Sequence, residues 1–317
     1  MRGSILLRKM KLPDHQRLRG LVAATHTPFH ADGSLNLNIV EKQCAHLLAN
    51  GVTSAFICGT TGESSSLSLD ERLLMAKCWM EVARGTAMRV IVHVGANALM
   101  DARDLAADAQ QLGAHAIAAL SPSYFKPRSL DSLVACAADI AAAAPDTPFY
   151  FYDIPSMTGV SFSMAEFLEK APAKIPTLAG IKFTNPDLMS FQLCLNADGG
   201  AWDVPFGCDE FLLAALSLGA TGAVGSTYNF AAPIYTRLIA AFQRGDMAAA
   251  RAEQFRSVQL VQLLAGTGFM GAAKAVMAML GVEVGPARLP NGTPTPRQIA
   301  ALRSALEAMG FFDWIKQ

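Results

Sequence analysis

Short apolar runs alternate with longer amphipathic stretches along most of the chain. Most of the apolar runs are continuous and lack the alternation of a half-exposed strand, which is typical of parallel strands covered on both faces. The pattern predicts eight such strands: residues 20–26, 54–59, 89–95, 116–121, 148–153, 178–183, 203–207 and 222–226.

Each predicted strand is followed by a stretch with helical periodicity. The eight predicted helices are residues 38–50, 68–84, 102–113, 130–144, 164–170, 188–196, 210–218 and 232–244. Eight strand–helix pairs in roughly 225 residues match the size of a (β/α)8 TIM barrel, which is the predicted fold within the α/β class. A doubly wound open sheet is the alternative architecture.

Three further helical stretches follow the last strand–helix pair, near residues 247–264, 270–280 and 296–309. They predict a C-terminal helical extension packed on the barrel. The predicted organisation is a flexible N-terminal extension, a barrel catalytic domain and a C-terminal helical region, over residues 1–18, 19–245 and 246–317.

Composition limits the classes of partner. Apolar residues make up 52% of the 317-residue chain and charged residues only 16%, which supports a large core and argues against disorder. Lys+Arg and Asp+Glu balance at 26 each, so the charge does not favour nucleic acid. The expected partners are a small-molecule substrate and further copies of the chain.

Cysteine usage and the N-terminal sequence bear on location. Six cysteines are scattered without a CxxC pair, which is typical of buried thiols in a reducing compartment. The basic N-terminus has the apolar run "ILL", too short for a signal peptide, and no later run reaches membrane-spanning length. We therefore expect a cytoplasmic protein with no membrane partner.

A lysine, Lys182, interrupts the apolar run of the sixth predicted strand, "LAGIKF". Lysine is rarely buried without a partner, and burial favours the neutral amine, which is a nucleophile. In a barrel the functional groups lie at the C-terminal ends of the strands, where Lys182 stands. Lys182 is therefore predicted to be a nucleophile; a lysine that is ion-paired or extends to solvent is the alternative.

Tyr152 stands near the end of the fifth predicted strand, in the motif "YDIP". Successive strands of a barrel are neighbours, so the ends of the fifth and sixth strands are expected to lie side by side. A tyrosine next to a neutral lysine can move a proton to or from a reacting oxygen. The alternative is a packed aromatic ring whose hydroxyl is satisfied elsewhere.

The second predicted strand is followed by "GTTGES", a turn with two glycines and the adjacent hydroxyls of Thr60 and Thr61. Such a turn can bind a carboxylate or phosphate through backbone N–H groups. The alternative is a capped loop, because Ser68 and Glu71 form a capping-box pattern for the next helix.

The last two predicted strands are followed by "GCDE" and "GSTYN". Asp209 and Glu210 are expected to be the N-cap and a first-turn acid of the next helix, where its dipole stabilises them. Carboxylates at the rim of a pocket also suit a substrate with several hydroxyl groups. The two roles are compatible.

The motifs "GTTGE", "YDIP", "GIKFT", "GCDE" and "GSTYN" follow one another between about residue 20 and the C-terminus. Together they resemble the pyruvate-dependent class I aldolase family, which contains dihydrodipicolinate synthase and N-acetylneuraminate lyase. The resemblance implies a (β/α)8 barrel with a C-terminal helical bundle, a homotetramer, and catalysis without a metal or organic cofactor.

The resemblance also implies roles for individual residues. It implies that Lys182 forms a Schiff base with the keto carbon of pyruvate, that Tyr152 relays a proton, and that the turn at Thr60 and Thr61 holds the pyruvate carboxylate. A protonated imine is an electron sink that stabilises the carbanion formed when a carbon–carbon bond breaks.

Within the family, the chain resembles the N-acetylneuraminate lyases more than the lysine-biosynthesis enzymes, because Met157 stands where the synthases usually have arginine. This resemblance implies cleavage of N-acetylneuraminate to N-acetylmannosamine and pyruvate. It also implies five contacts with the sugar acid: Thr184, Gly207, Asp209, Glu210 and Ser226.

Two other functions remain open. One is another aldolase or dehydratase of the family, acting on a 2-keto-3-deoxy sugar acid or an aromatic aldehyde, or a condensation like that of dihydrodipicolinate synthase. The other is a non-catalytic protein that binds pyruvate or a sugar acid. The chain departs from many family members at Phe125, where a second tyrosine reaches into a neighbouring subunit's site, although animal-type lyases also have apolar aromatics there.

Overall fold

The computed structural model describes residues 12–13 and 16–316. Within these residues seven strands form, each inside a predicted one. They are β1 Gly20–Ala24, β2 Ser54–Ile57, β3 Arg89–His93, β4 Ala116–Leu120, β5 Phe149–Asp153, β6 Leu178–Phe183 and β7 Gly222–Gly225.

The described helices follow the predicted ones, with the short helices α5 and α13 in addition. They are α1 Val40–Ala49, α2 Leu69–Ala83, α3 Leu99–Gln111, α4 Leu130–Ala141, α5 Pro155–Thr158, α6 Met164–Lys170, α7 Leu188–Asn196, α8 Leu212–Leu218, α9 Tyr228–Gln243, α10 Met247–Thr267, α11 Phe269–Met279, α12 Pro296–Met309 and α13 Phe311–Trp314. The bounds of α6, α7 and α12 agree with the prediction at both ends.

The chain forms two compact units. The first contains Ile91–Gly207 and the described residues up to Leu18. Its strands are parallel and pair in the order β3, β4, β5, β6, with Tyr152 of β5 opposite Lys182 of β6. Every residue of β5 and β6 is buried, which confirms that these apolar runs are covered on both faces.

The second unit contains Arg19–Val90 and the described residues from Cys208 onward. Its strands are also parallel and pair in the order β2, β1, β7, with Ala23 of β1 opposite Ala55 of β2 and Gly225 of β7. β2 and β7 are buried at every residue. The ends of β2 and β7 therefore lie on either side of the end of β1.

The seventh predicted strand, "DVPFG", is not a regular strand in the structure. It lies beside β6 through two isolated parallel bridges, Gly180 with Asp203 and Phe183 with Phe206. Pro205 explains the interruption, because proline has no N–H to donate to a ladder. Its carbonyl still accepts a hydrogen bond from the Phe183 N–H at 2.9 Å. The segment thus lies beside β6 without a continuous ladder of hydrogen bonds.

The C-terminal helices belong to the second unit. α10 packs along α9, and α11 contacts α9, α10 and α12. Arg237 of α9 forms two hydrogen bonds of 3.0 Å to Glu253 of α10. Among the described residues, no single helix is long and apolar enough to cross a membrane. α10 and α11 have this length and apolar character only when they are taken together, and the pair is bent by 114°.

The predicted N-terminal extension lies largely outside the described residues, which omit 1–11 and 14–15. Its last residues are held in the first unit, where Arg17 donates to the Ala201 carbonyl at 2.8 Å and the Leu18 N–H to Asp203 at 2.7 Å. The division into a barrel and a C-terminal region after residue 245 stays a prediction.

Candidate active site

Lys182 and Tyr152 occupy paired positions on neighbouring strands of the first unit. Both are buried, with 4% and 3% of their surface exposed. The Lys182 Nζ lies 3.7 Å from the centre of the Tyr152 ring. The side-by-side placement predicted for the two strand ends is therefore confirmed, and Lys182 does not extend to solvent.

His93 adds a second ring beside Tyr152. It ends β3, is buried, and meets the Tyr152 ring edge to face, with 5.8 Å between ring centroids and an interplanar angle of 88°. Sequence reasoning missed this contact, because a lone histidine in an apolar strand gives little signal. Its place at a strand end was the one available indication.

Thr184 and Gly207 lie against each other next to β6. The Thr184 hydroxyl is buried and has no hydrogen-bond partner among the described residues. A Cβ at position 207 would overlap the side chain and the Cα of Thr184. Glycine is therefore required at 207 by the close approach of two backbones, and it brings no side chain to the site.

The turn "GTTGES" lies in the second unit, directly after β2. Thr61 is buried, and its hydroxyl forms a 2.6 Å hydrogen bond with the hydroxyl of Ser226, which follows β7. Thr60 is half-buried, and its carbonyl accepts a hydrogen bond from the Glu63 N–H at 3.0 Å. Two predicted site residues, Thr61 and Ser226, are thus brought into contact.

The capping box predicted for Ser68 and Glu71 is confirmed at the start of α2. The Glu71 N–H donates to the Ser68 hydroxyl at 3.2 Å, and the Ser68 N–H donates to the Glu71 carboxylate at 2.9 Å. The box begins after the turn and does not use Thr60 or Thr61. The two interpretations of this loop are therefore compatible.

Asp209 holds the loop that carries Ser226. Its carboxylate accepts hydrogen bonds from the Thr227 N–H at 2.9 Å and the Thr227 hydroxyl at 2.6 Å. A Cβ at Gly225 would overlap this carboxylate. Burial raises the pKa of Asp209 to about 6, although the hydrogen bonds from Thr227 oppose the rise.

The expectation that Asp209 is a helix N-cap is wrong. Asp209 is the first residue of a 3-10 turn, Asp209–Phe211, whose N-cap is Cys208 and which has no side-chain capping bond. The burial of Asp209 explains the difference, since its carboxylate hydrogen-bonds to Thr227 and not to its own helix. Glu210, in the same turn, is partly exposed.

Asp153 is a buried carboxyl at the end of β5. It follows Tyr152, has 4% of its surface exposed, and accepts one hydrogen bond from the Asn185 side chain at 3.3 Å. Burial raises the pKa of Asp153 to about 6, and the hydrogen bond from Asn185 lowers it only in part. The ionised form therefore destabilises the fold at neutral pH.

We expect the free energy of unfolding of Asp153→Asn to rise relative to that of the wild type as pH increases from about 4 to about 6. The difference between the two proteins changes by roughly 3 kcal/mol at most over this window. Because folding raises this pKa, the native protein binds more protons than the unfolded chain in that window, and wild-type stability falls as pH rises. Urea unfolding at both ends of the window measures the difference.

Asp131→Asn, at an exposed position, is the control. Its pH dependence of stability is expected to have the opposite sign, because the partner Lys170 lowers the pKa of Asp131. A difference between Asp153→Asn and the wild type that does not change with pH would contradict the assignment of a raised pKa to Asp153.

A second buried lysine, Lys274 of α11, was missed from the sequence, as was its partner Glu63. Their side chains are 1% and 0% exposed, and Lys274 Nζ lies 2.6 Å from Glu63 Oε1. Lys274 stands in the Ala-rich stretch "GAAKAV", which indicates an ordinary helix. Its local sequence carries no signal that separates it from a lysine on the surface of an Ala-rich helix.

Among the described residues, no three His, Cys, Asp or Glu side chains are grouped to hold a metal ion. All six cysteines are free thiols. Burial raises the pKa of Cys58 to about 11 and that of Cys194 to about 12, so both thiols stay protonated at neutral pH. The absence of a cofactor stays a prediction.

Comparison with known families gives the chain's relatives. The sequence profile of the dihydrodipicolinate synthetase family matches residues 17–309. N-acetylneuraminate lyase of Mus musculus is 39% identical over 302 residues, which cover 94% of each chain. The family resemblance inferred from the five motifs is thereby confirmed.

Solved structures give the fold. N-acetylneuraminate lyase of Proteus mirabilis superposes with a TM-score of 0.90 at 40% identity, over 92% of this chain and 98% of that one. A catalytic lysine mutant of Ruminococcus gnavus sialic acid aldolase superposes with a TM-score of 0.88 at 26% identity, over 93% and 96%. The predicted (β/α)8 barrel with C-terminal helices is confirmed.

Proposed function

The chain belongs to the dihydrodipicolinate synthetase family, and we propose that within it the protein is a carbon–carbon lyase that cleaves N-acetylneuraminate to N-acetylmannosamine and pyruvate. Lys182 is the proposed nucleophile and Tyr152 the proposed proton relay. The relatives at about 40% identity are named for this reaction, which supports lyase activity here.

One observation carries the proposal: a buried lysine amine lies 3.7 Å from the ring of a tyrosine that occupies the paired position on the next strand. An amine that forms an imine must be a nucleophile close to a group that moves protons. The Ruminococcus gnavus aldolase, whose catalytic residue is described as a lysine, supports the same role for Lys182.

The proposed chemistry follows from these two groups. The Lys182 amine adds to the keto carbon of the open-chain sugar acid, and loss of water gives a protonated imine. Tyr152 removes the proton of the hydroxyl on the carbon that becomes the aldehyde. As that aldehyde forms, the carbon–carbon bond breaks and its electron pair moves into the imine. Protonation and hydrolysis then release pyruvate and free Lys182.

The other site residues have proposed binding roles. Thr60 and Thr61 hold the carboxylate of the substrate, which orients its keto carbon. The proposed contacts with the sugar-acid chain are Thr184, Gly207, Asp209, Glu210 and Ser226. Thr184 has an unpaired hydroxyl, Gly207 has no side chain, and Asp209 holds the loop of Ser226.

The assignment to the lyases is supported by Met157. It lies on the short helix α5, two residues after the end of "YDIP", and 64% of its surface is exposed. The family resemblance implies that the synthases usually have an arginine at this position. A thioether cannot pair with a carboxylate, so a neutral aldehyde product such as N-acetylmannosamine suits this chain better.

We also propose a cytoplasmic homotetramer that needs no cofactor. The exposed rings of Tyr124 and Phe125 support assembly, since 79% and 86% of their surfaces face solvent in the single chain and they pack edge to face at 5.0 Å. Neighbouring exposed aromatic residues are typical of protein–protein contact sites. The free thiols of all six cysteines agree with a reducing compartment.

The test is pyruvate release by the purified protein from N-acetylneuraminate, measured beside 2-keto-3-deoxygluconate. Borohydride trapping with pyruvate is run in parallel, because it detects the imine without any cleavage. We expect release from N-acetylneuraminate and a covalent adduct with pyruvate.

Each other outcome has a distinct meaning. Release from 2-keto-3-deoxygluconate alone would keep the roles of Lys182 and Tyr152 and overturn the assigned substrate. An adduct without release from either compound would point to another carbonyl substrate of the same family. No release and no adduct would leave a non-catalytic binding protein and overturn the proposal.

A further inference from the structure

We infer that Lys274, on α11, is a positioning residue for the carboxylate-binding turn. It acts through Glu63, which ends the turn that begins after Cys58 and contains Thr60 and Thr61. The inference rests on the proposed function, because it takes this turn to be the seat of the substrate carboxylate.

The turn has a backbone conformation that its own residues do not favour. Cys58 and Glu63 flank it, and both have left-handed backbone angles, with φ of 54° and 55°. Residues with a Cβ rarely adopt this region, and such angles persist only where the surroundings determine them. Contacts from outside the turn must therefore hold it.

The Glu63 carboxylate makes these contacts, and they reach the C-terminal part of the chain. Glu63 Oε1 lies 2.6 Å from Lys274 Nζ. Glu63 Oε2 accepts a hydrogen bond from the Arg288 N–H at 2.8 Å and a longer one from the Asn291 side chain at 3.4 Å. One side chain of the turn is thus bound to α11 and to the connector before α12.

The Lys274 ammonium group has two further oxygen partners besides its ion pair with Glu63. Besides Glu63, its Nζ donates to the Thr27 carbonyl at 2.9 Å and the Pro286 carbonyl at 2.8 Å. The Thr27 hydroxyl in turn donates to the Gly62 carbonyl at 2.7 Å. Lys274 therefore supports the turn at two points, directly at Glu63 and through Thr27 at Gly62.

The Glu63 carboxylate favours the protonated, charged form of Lys274. Burial lowers the pKa of Lys274 to about 8, and the Glu63 carboxylate opposes the fall. An ammonium group with three oxygen partners is satisfied and cannot bind a substrate itself. Its effect on the reaction is therefore indirect, through the position of the turn.

A pure stability role is the competing explanation, and buried ion pairs are weak evidence for stability. The two roles differ in what they change. A pair that only stabilises the fold alters the unfolding temperature and leaves the affinity of folded protein for pyruvate unchanged. A positioning pair alters that affinity even when the protein is folded.

The test uses the double variant E63Q/K274M, which removes both charges and leaves no unpaired buried ion. The amide that replaces the Glu63 carboxylate keeps a carbonyl oxygen for the Arg288 N–H, whereas the link to α11 is lost. Arg237→Met is the matched control, because Arg237 pairs with Glu253 between α9 and α10 at 3.0 Å and does not contact the turn. Both proteins and the wild type are titrated with pyruvate and trapped with borohydride.

We expect the double variant to fold and to be trapped fully at saturating pyruvate, with a half-saturating concentration about tenfold or more above wild type. KM for N-acetylneuraminate rises by a similar factor and kcat changes little, because the carboxylate is held in the ground state and the transition state alike. Arg237→Met lowers the unfolding temperature without changing the half-saturating concentration.

An unchanged half-saturating concentration in the folded double variant would overturn the inference. A double variant that does not fold would also count against it, because the pair would then act on folding. Failure of the proposed imine chemistry is recognised separately, since the wild type itself would then give no adduct with pyruvate. A wrong substrate assignment leaves the pyruvate titration valid, because the titration does not use N-acetylneuraminate.

Discussion

Replacing Lys182 with alanine abolishes pyruvate release from N-acetylneuraminate, with kcat lower by at least about 10⁴-fold. Without Nζ no imine forms, and the electron pair of the breaking carbon–carbon bond has no acceptor. The chain keeps its fold, because the substitution removes an amine and an aliphatic stem but no large apolar side chain. A coupled dehydrogenase assay measures pyruvate, and far-UV circular dichroism checks the fold.

Lys170→Ala is the matched control for this variant. Lys170 lies on α6, its side chain is 50% exposed, and it pairs with Asp131 at 2.9 Å. Exposed ion pairs contribute little, so this variant is expected to keep wild-type kcat. A folded Lys182→Ala protein with more than about a hundredth of wild-type turnover would contradict the imine mechanism.

Replacing Tyr152 with phenylalanine lowers kcat for cleavage by about 10²- to 10⁴-fold, the usual contribution of a positioned proton-transfer group. Phenylalanine keeps the ring that lies 3.7 Å from Lys182 Nζ, so the amine stays in place. Borohydride trapping of the pyruvate adduct is therefore expected to continue. Steady-state kinetics and trapping on the same preparation separate the two effects.

Tyr150→Phe is the control on the same strand. The Tyr150 hydroxyl donates to the buried Asp203 at 2.7 Å, so its loss is expected to lower the free energy of unfolding by roughly 1–3 kcal/mol. The kcat of the folded variant should not change. Equal losses of kcat in Tyr150→Phe and Tyr152→Phe would show that the Tyr152 hydroxyl has no special role.

The strands and the two central residues were predictable for a physical reason. Strands covered on both faces carry continuous apolar runs, so a lysine inside β6 is conspicuous and its neighbour across the parallel pair follows from the order of the strands. The same reasoning failed at the seventh predicted strand, where Pro205 interrupts the ladder that its apolar neighbours favour.

Contacts between distant parts of the chain were not predictable. Nothing in "GAAKAV" distinguishes a lysine that is 1% exposed from one on a helix surface, because its partner Glu63 is far away in the sequence. The role of Asp209 was missed for a related reason. A first-turn acid is a local pattern, whereas its hydrogen bonds to Thr227 depend on the fold.

The contact between Gly207 and Thr184 bears on how substrate preference is inferred from alignments of related chains. A side chain at 207 would collide with the Thr184 backbone as well as its hydroxyl, so even a smaller residue at 184 would not make room for it. Evolution can therefore vary position 184 with the substrate while position 207 stays fixed by sterics. Glycine at 207 marks a shared architecture, and residue 184 is the more informative character for separating subfamilies by what they cleave.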